Sequence, residues 1–297
     1  MAPSREPRVG PIDGLLLVDK PAGVSSHDVV LVARRALGER RIGHAGTLDP
    51  FATGLLVLLT GRATRLLPYL DGEPKVYDAT VRFGAETETD DLLGAITRSA
   101  PPPQEAVVRA ALPALTGDLF QRPPDYSAKR VGGRRAYQAA RSGEMLELAP
   151  VAVRVHEWHV HRWREGEATA EMDVTVVCGG GTYIRALGRD LGRLVGSAAH
   201  LSALRRTRSG RFSVDRATSL EMLRDGSSEL HPAAEALGRM PVQTLGGADV
   251  RRIERGLTIV ATVEGEQAAL LTESGALLAV ADRQEGQWQP RVVLHES

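Results

Sequence analysis

Hydrophobic and polar residues in the first part of the chain predict two buried strands and a helix between them. The apolar run GLLLVDK at 14–20 and the glycine-bounded run GLLVLLTG at 54–61 are each typical of a short buried strand. Between them, residues 25–38 have helical spacing. One of two adjacent serines can cap that helix at its N-terminus, and a glycine can end it.

The next part of the chain mixes strand and helix patterns. Residues 75–84 alternate between apolar and polar side chains, so Tyr77 and every second residue share one face of a strand. Residues 104–116 and 134–142 predict helices, and Pro113 interrupts the first of them.

Two long strands and an amphipathic helix are predicted further on. Residues 151–163 and 168–178 predict strands joined as a hairpin, and residues 182–196 predict a helix. Residues 199–214 are polar and basic, with strand-like ends. The helix carries one apolar stripe, formed by Ile184, Leu187, Leu191, Leu194 and Val195.

The pattern changes character near residue 240. A short helix at 248–256 precedes β-like segments at 257–264, 267–274, 275–282 and 291–294, and the Glu-Ser-Gly turn at 273–275 indicates a hairpin. We therefore expect three regions: a disordered lead-in at 1–12, a catalytic domain at 13–240 and a small β-rich domain at 241–297.

Composition places the chain among ordinary globular proteins. Of 297 residues, 42% are hydrophobic and 25% are charged, and no apolar run approaches the ~18 residues that a membrane span needs. The N-terminus lacks the apolar segment of a signal peptide. The single cysteine, Cys178, excludes an intramolecular disulfide and a cysteine-based zinc site. We expect a cytoplasmic protein.

Charge is segregated along the chain, although 37 basic residues balance 37 acidic ones. Residues 121–141 hold six Lys or Arg and one Asp, and residues 205–211 hold four Arg and no acid. Such local basic patches can bind phosphates even when the net charge is zero, although a solvated charged face is the ordinary alternative. The candidate phosphate contacts are Lys129, Arg130, Arg205 and Arg206.

A single carboxylate stands inside an unusually glycine-rich loop. In GHAGTLDPFATG, at 43–54, Asp49 is surrounded by three glycines and precedes a proline. An isolated Asp-Pro pair is good turn chemistry, so a structural turn is one reading. A lone carboxylate can also act as a nucleophile or a base without a metal or a cofactor.

Two further stretches contain residue types found in metal or phosphate sites, but their spacing does not match such sites. In HEWHVH, at 156–161, His159 and His161 share a strand face, but the spacing matches no zinc-binding motif, and we expect no metal. The glycines at 179–181 lack the lysine of a phosphate-binding loop. We interpret them as a turn that presents the segment holding Tyr183 and Arg185.

Six segments follow one another over residues 14–220: LLLVDKPAGVSSHDVV, GHAGTLDPFATGLLVLLTGRATR, KVYDATVRFG, PPDYSAKRVGGRRAY, GGGTYIRALGRDLG and ALRRTRSGRF. Together, and in this order, they resemble bacterial tRNA pseudouridine-55 synthases, the TruB family of pseudouridine synthases. In the acidic loop GAETETDDLLGA, at 84–95, TET replaces a TDT-like sequence. The resemblance implies an α+β fold: a mixed, mostly antiparallel central sheet flanked by helices and loops, with a small PUA-like C-terminal domain.

The resemblance also implies an activity, namely isomerisation of uridine 55 in the tRNA T-loop by base flipping. It places Asp49, Tyr77 and Arg185 in the catalytic machinery, with Arg185 paired to Asp49 so that the carboxylate stays ionised and oriented. No cofactor is implied. The expected partner is the T-arm of tRNA, bound by a monomer without a guide RNA or a membrane.

Other residues receive binding roles from the same resemblance. His44 fills the stack that the flipped base leaves, Tyr77 and Tyr183 line the base pocket, and Leu204 closes it. Lys20, in DKPAG, belongs to the scaffold beside the site. Whether Asp49 attacks the sugar, attacks the base or removes a ribose proton stays open. Two other classes of protein remain, an RNA chaperone without catalysis and a guide-dependent synthase.

Overall fold

A computed structural model of the chain describes residues 12–127, 129–131, 134–135 and 146–294. The lead-in predicted for residues 1–12 lies outside the described residues except for its last position. The helix predicted for 134–142 also lies outside them, apart from residues 134–135, which form a short strand.

The described residues form strands β1–β19 and helices α1–α5, with four 3₁₀ helices between them. The strands are β1 Gly14–Lys20, β2 Ile42–Ala45, β3 Thr53–Thr60, β4 Lys75–Phe83, β5 Ala85–Thr87, β6 Ile96–Ser99, β7 Gly117–Gln121, β8 Arg130–Val131, β9 Arg134–Arg135, β10 Val151–Glu165, β11 Ala170–Cys178, β12 Ala199–Ser209, β13 Phe212–Ser213, β14 Thr218–Ser219, β15 Val242–Leu245, β16 Ile259–Val260, β17 Gln267–Thr272, β18 Leu277–Gln284 and β19 Gln287–Val293. The α-helices are α1 Ser26–Leu37, α2 Glu105–Ala111, α3 Ile184–Leu194, α4 Leu220–Arg224 and α5 Gly247–Glu254. The 3₁₀ helices are Gly61–Tyr69, Leu112–Leu115, Val214–Arg216 and Ala233–Leu237.

The large sheet has the order β14-β1-β3-β12-β4-β11-β10-β7, with β2 added to β3 and β13 added to β12. Its pairs are antiparallel except β1 with β14 and β3 with β12, which are parallel. The predicted mixed, mostly antiparallel sheet with flanking helices is therefore confirmed. The parallel β3–β12 pair matters for function because it joins the strand after Asp49 to the strand that carries Leu204.

Helix α1 forms where the sequence predicted it. Ser25 caps its N-terminus: the Ser25 side chain accepts from the Asp28 backbone N, and the Asp28 carboxylate accepts from the Ser25 backbone N. Gly38 ends the helix in the left-handed conformation, with φ of 67°. The apolar face of α1 packs on the sheet through Val29 and Val30, which fixes the segment that supports the Asp49 loop.

Helix α3 packs across β12 and β4 and carries the predicted apolar stripe, with one exception. Ile184, Leu187 and Leu191 are buried in the core, but Leu194 is 50% exposed, so its assignment to the stripe was wrong. Leu194 is the last helical residue, and Val195, which was also predicted for the stripe, packs against the core.

Strand β12 is the largest difference from the predicted secondary structure. A polar, basic segment with strand-like ends was expected, but an unbroken strand of eleven residues runs between β3 and β4 inside the sheet. Two of its arginines, Arg205 and Arg206, are tolerated there because each has a partner. Arg205 forms an ion pair with Asp19, and Arg206 donates to two backbone carbonyls.

A second sheet of five strands follows in the order β15-β17-β18-β19-β16. The predicted β17–β18 hairpin is confirmed, whereas β15 was not predicted and the segment 257–264 keeps only β16 as a strand. The fully buried Trp288 anchors this sheet and donates to the Gln243 side chain at 2.7 Å. The two sheets share a core, where Leu15 and Val57 cluster with Val280 and Val292.

Candidate active site

The Asp49 loop connects β2 to β3, and its conformation requires two glycines. Gly46 and Gly54 have φ of 78° and 101°, values that L-residues with side chains rarely adopt. A Cβ at Gly54 would lie 2.2 Å from the Arg206 backbone oxygen. The glycines therefore let the Asp49 loop lie directly against β12.

Contacts from the β1–α1 connection hold the loop from beneath. The Ser26 hydroxyl accepts from the Leu48 backbone N at 2.8 Å and donates to the Leu48 carbonyl at 3.0 Å. The Gly23 backbone N donates to the Pro50 carbonyl at 2.8 Å. Residues on both sides of Asp49 are thus fixed by hydrogen bonds to one supporting segment.

Lys20 lies beneath the same loop and is fully buried. Its ammonium donates to the carbonyls of Pro21 at 2.9 Å, Val24 at 2.8 Å and Pro50 at 3.4 Å. Burial lowers the pKa of Lys20 to about 8, against the opposing effect of the Asp49 charge. The expected scaffold position of Lys20 therefore agrees with its contacts.

Arg185 and Asp49 meet from opposite parts of the chain. Arg185 Nε lies 2.8 Å from Asp49 Oδ2, and Arg185 Nη2 lies 3.0 Å from Asp49 Oδ1. The Arg185 side chain is 4% exposed and that of Asp49 is 34% exposed. This two-point contact fixes the plane of the carboxylate and leaves part of Asp49 accessible from the cavity beside it.

The rest of the Arg185 guanidinium is held by the protein itself. Nη1 donates to the Thr89 carbonyl at 2.5 Å and lies 3.6 Å from Asp91 Oδ2, while Nη2 also donates to the Tyr126 carbonyl at 2.9 Å. Because Arg185 has so many fixed partners, it can orient Asp49 without a rearrangement of its own.

A cavity of about 220 Å³ opens beside this pair. Tyr77 lies on β4 and Tyr183 immediately before α3, and burial raises the pKa of both phenols. Both phenols therefore stay protonated near neutral pH. The structure brings together residues predicted for the site: Asp49, Tyr77, Tyr183, Arg185 and Leu204 all line the cavity.

His44 lies in a neighbouring cavity of about 280 Å³, next to Leu67 and Leu70. Burial lowers the pKa of His44, and the nearby Arg206 charge lowers it further. Its Nδ1 atom is buried and has no hydrogen-bond partner among the described residues. The ring is therefore neutral near pH 7, and no hydrogen bond or ion pair joins it to Asp49 in the described part of the chain.

The basic candidates fall into different environments. Arg206 is only 1% exposed and donates to the Leu55 carbonyl at 2.7 Å and the Gly46 carbonyl at 2.9 Å. Because β12 runs inside the sheet, this side chain lies in the wall of the Asp49 cavity, and its role as a phosphate contact stays a prediction. Arg205 pairs with Asp19 at the surface, and Lys129 is exposed. The side chain of Arg130 lies outside the described part of the structure.

Gln121 was missed by the sequence interpretation, although it positions Tyr183. Its side-chain oxygen accepts from the Tyr183 backbone N at 2.9 Å, and its nitrogen donates to the Tyr183 carbonyl at 3.1 Å. Gln121 is 2% exposed. Nothing near Gln121 in the sequence indicates this role, because its partner lies 62 residues further along the chain.

A ladder of arginines along α3 was also missed. Arg185, Arg189 and Arg193 follow one another at intervals of four residues, so they lie on one helical face. Each meets the acidic loop after β4: Arg189 Nη1 lies 2.8 Å from Asp90 Oδ2, and Arg193 Nη2 lies 2.6 Å from Glu86 Oε2. The loop and the ladder together fix the start of α3, where Arg185 lies.

Among the described residues, no group of three His, Cys, Asp or Glu side chains could hold a metal ion. His159 contacts Glu157, and His161 contacts Thr175.

No helix in the described part of the chain is both long and apolar enough to cross a membrane. A larger groove of about 1370 Å³ lies between the two sheets, but neither Asp49 nor Arg185 lines it.

Comparisons with known proteins match nearly all of the chain. Residues 34–184 match the model described as TruB family pseudouridylate synthase (N terminal domain), and residues 185–241 match tRNA pseudouridylate synthase B C-terminal domain. The chain is similar to tRNA pseudouridine synthase B of Thermobifida fusca, with 46% identity over 95% of this chain and 98% of the relative. It is also similar to the protein of that name from Arthrobacter sp., with 43% identity over 96% and 98%.

Solved structures share the fold at lower sequence identity. One is the structure of an H/ACA RNP bound to a substrate RNA containing 2′-deoxyuridine. It has a TM-score of 0.68 and 21% identity over 95% of this chain and 85% of that one. Another, of the archaeal box H/ACA sRNP Nop10-Cbf5 complex, has a TM-score of 0.67 and 22% identity over 95% and 86%. The predicted pseudouridine synthase fold is confirmed.

Proposed function

This chain belongs to the TruB family and is a tRNA pseudouridine synthase, an isomerase, and from that membership we propose that it converts uridine 55 of the tRNA T-loop to pseudouridine by means of Asp49. The observation that carries this proposal is the two-point contact between Asp49 and Arg185 at the wall of a cavity. The carboxylate is oriented, ion-paired and partly exposed, as a group that acts on a bound nucleoside must be.

The reaction breaks the bond between C1′ of the ribose and N1 of uracil and forms a bond between C1′ and C5. The proton on C5 is then lost and N1 gains one, so the product is an isomer of the substrate. Asp49 can attack the nucleoside or take a proton from the ribose, and both routes need an ionised carboxylate. Arg185 stabilises that form throughout the reaction.

The base reaches Asp49 only if it leaves the RNA stack, since the carboxylate lies in a cavity wall. Tyr77 packs on the flipped uracil and assists removal of the C5 proton. Tyr183 lines the same pocket, and Leu204 closes it. His44, neutral in its adjacent cavity, stacks where the base was.

The substrate is the folded T-arm, recognised through its shape and its phosphates by a monomer without a guide RNA. Lys129, Arg130 and Arg205 contact phosphates at the edge of the site. The catalytic domain comprises residues 13–240, and the β-rich domain at 241–297 adds a second RNA-binding surface.

The test is pseudouridine formation in a T-arm hairpin with no other RNA or protein added. Wild type should form about one pseudouridine per hairpin, at position 55, and Asp49→Asn should form none while still binding the hairpin. Absence of product with the wild-type protein would refute the activity on this substrate. Activity only after a guide RNA is added would favour a guide-dependent synthase, and full activity of Asp49→Asn would refute the mechanism.

A further inference from the structure

Lys75 lines the cavity beside Asp49, although the reaction described above gives it no role. It is the first residue of β4, two positions before Tyr77, so the two side chains leave the strand on the same face. Burial lowers the pKa of Lys75, and the charge of Arg206 lowers it further, while Glu73 acts in the opposite direction. A cation in this position is therefore costly unless an anion joins it.

The Lys75 ammonium has no ion pair or hydrogen bond with any residue that the structure describes. This distinguishes it from Lys20, which donates to three carbonyls of the scaffold. Arg206, beside it, donates to two backbone carbonyls and interacts with the Tyr77 hydroxyl, and it has no carboxylate partner among the described residues. Two neighbouring cations without an acid between them are typical of a site that receives an anion.

The position of Lys75 indicates which anion. It lines both the Asp49 cavity and the His44 cavity, and Gly46 is the other residue that lines both. A Cβ on Gly46 would lie 3.4 Å from Lys75 Nζ and 3.2 Å from Arg206 Nη1. Glycine thus leaves a narrow gap beside the two cations, at the boundary between the cavities.

A flipped nucleotide must cross this boundary. If its base is beside Asp49 while His44 fills the vacated stack, the sugar–phosphate chain that joins the two places passes over Gly46. We propose that the Lys75 ammonium binds a backbone phosphate that flanks the target uridine and so holds the nucleotide in its flipped position. This inference rests on the proposed function and adds a substrate-binding residue to the same site.

The experiment pairs a protein change with an RNA change and measures binding in an Asp49→Asn background, where no turnover occurs. T-arm hairpins carry a neutral methylphosphonate at one phosphate, either 5′ or 3′ of the target uridine or in the remote stem. Lys75→Met should bind the unmodified hairpin roughly ten-fold more weakly, and the slope of log K against log salt should shrink by about 0.7–0.9.

One flanking methylphosphonate should weaken binding by the background protein by a similar factor and leave binding by Lys75→Met unchanged. Arg109→Met is the charge-matched control, since Arg109 lines neither cavity and pairs with Glu105 on the surface. It should change neither the affinity nor the salt slope. An unchanged salt slope in Lys75→Met, or equal weakening of both proteins by every flanking methylphosphonate, would overturn the proposal.

A measurement on the wild-type chain avoids the risk that the variant misfolds. The chain has three lysines, of which Lys20 is fully buried and Lys129 is exposed. Bound T-arm RNA should protect Lys75 from amine-reactive labelling, read by peptide mass spectrometry, and equal labelling with and without RNA would also overturn the proposal. Failure of the wild type to form pseudouridine would instead count against the proposed function. Pseudouridine formation is measured in a separate assay, so the two failures can be distinguished.

Discussion

Ser26 and Leu48 exchange two hydrogen bonds across the support of the Asp49 loop. The Ser26 hydroxyl accepts from the Leu48 backbone N and donates to the Leu48 carbonyl, at 2.8 and 3.0 Å. Leu48 immediately precedes Asp49, so one buried hydroxyl satisfies both backbone groups next to the carboxylate. The neighbouring Ser25 has a different task, because it caps α1.

Substitutions of the two serines should therefore affect stability equally but activity differently. Ser25→Ala and Ser26→Ala should each lower the free energy of unfolding by about 1–2 kcal/mol, the first by loss of the cap and the second by unsatisfied backbone groups. Only Ser26→Ala should lower kcat, by roughly ten-fold, because only it releases the Asp49 loop. Urea unfolding and pseudouridine formation at a temperature where both variants are folded measure the two effects. Equal kcat in the two variants would contradict this role.

Gln121 should behave as a positioning residue for Tyr183. Gln121→Leu keeps the approximate size of the side chain but leaves the backbone N and O of Tyr183 without their partner. We expect a loss of about 1–3 kcal/mol in unfolding free energy and a fall in kcat of roughly ten-fold. The change in kcat should exceed the change in KM, because the start of α3 also carries Arg185.

A second glutamine provides the control for this prediction. Gln289 donates to the Gly256 carbonyl at 3.3 Å at the surface of the second sheet. Gln289→Leu should leave kcat at the wild-type value. If Gln121→Leu also keeps the wild-type kcat after its stability loss has been measured, Gln121 supports the fold and does not position the site.

Two of the predicted site residues, His44 and Asp49, lie in a long and specific motif, GHAGTLDPFATG at 43–54. The glycines around Asp49 indicate an unusual loop, but the sequence does not show that Gly54 packs against the Arg206 backbone. The meeting of Asp49 with Arg185 was inferred from the family resemblance, since nothing local to either residue indicates a partner 136 positions away.

Other features depend on contacts that no local pattern carries. The arginines of 205–211 form a basic run, and a basic run is ordinarily a solvated surface. The parallel pairing of β12 with β3 instead turns Arg206 into the cavity wall. Similarly, the acidic loop after β4 indicates only a polar turn, until α3 brings Arg189 against Asp90. Tertiary pairing decides these cases.

Asp90 should make the stability of the protein depend on pH. The residue is 6% exposed, and burial raises the pKa of its carboxyl from 3.8 to about 6, although Arg189 opposes the change. Between about pH 4 and pH 6 the folded state therefore holds a proton that the unfolded state has lost. Stability from this group must fall as the pH rises through that window and then stay constant above about pH 6.

Asp90→Asn should abolish this component. Asp90 has φ of 57°, which asparagine tolerates, so the change removes the titration with little backbone strain. Relative to the variant, wild type should lose on the order of 2 kcal/mol of unfolding free energy between pH 4 and pH 6.5. Asp118→Asn, whose ion pair with Arg154 is exposed, should keep the wild-type slope. A parallel pH dependence in wild type and Asp90→Asn would contradict the assignment.

Arg185→Lys tests whether the geometry of the ion pair matters beyond its charge. Lysine keeps the positive charge but cannot make the two parallel contacts to Asp49, nor the further bonds to the carbonyls of Thr89 and Tyr126. We expect kcat to fall by roughly 10²-fold while binding of the T-arm hairpin changes by less than about three-fold, because orientation of the carboxylate is lost and the net charge is kept. Arg109→Lys, at an exposed ion pair with Glu105, is the matched control and should keep full activity. Single-turnover pseudouridine formation and hairpin affinity, measured on the same preparations, separate the two effects. Wild-type kcat in Arg185→Lys would mean that charge alone is sufficient beside Asp49.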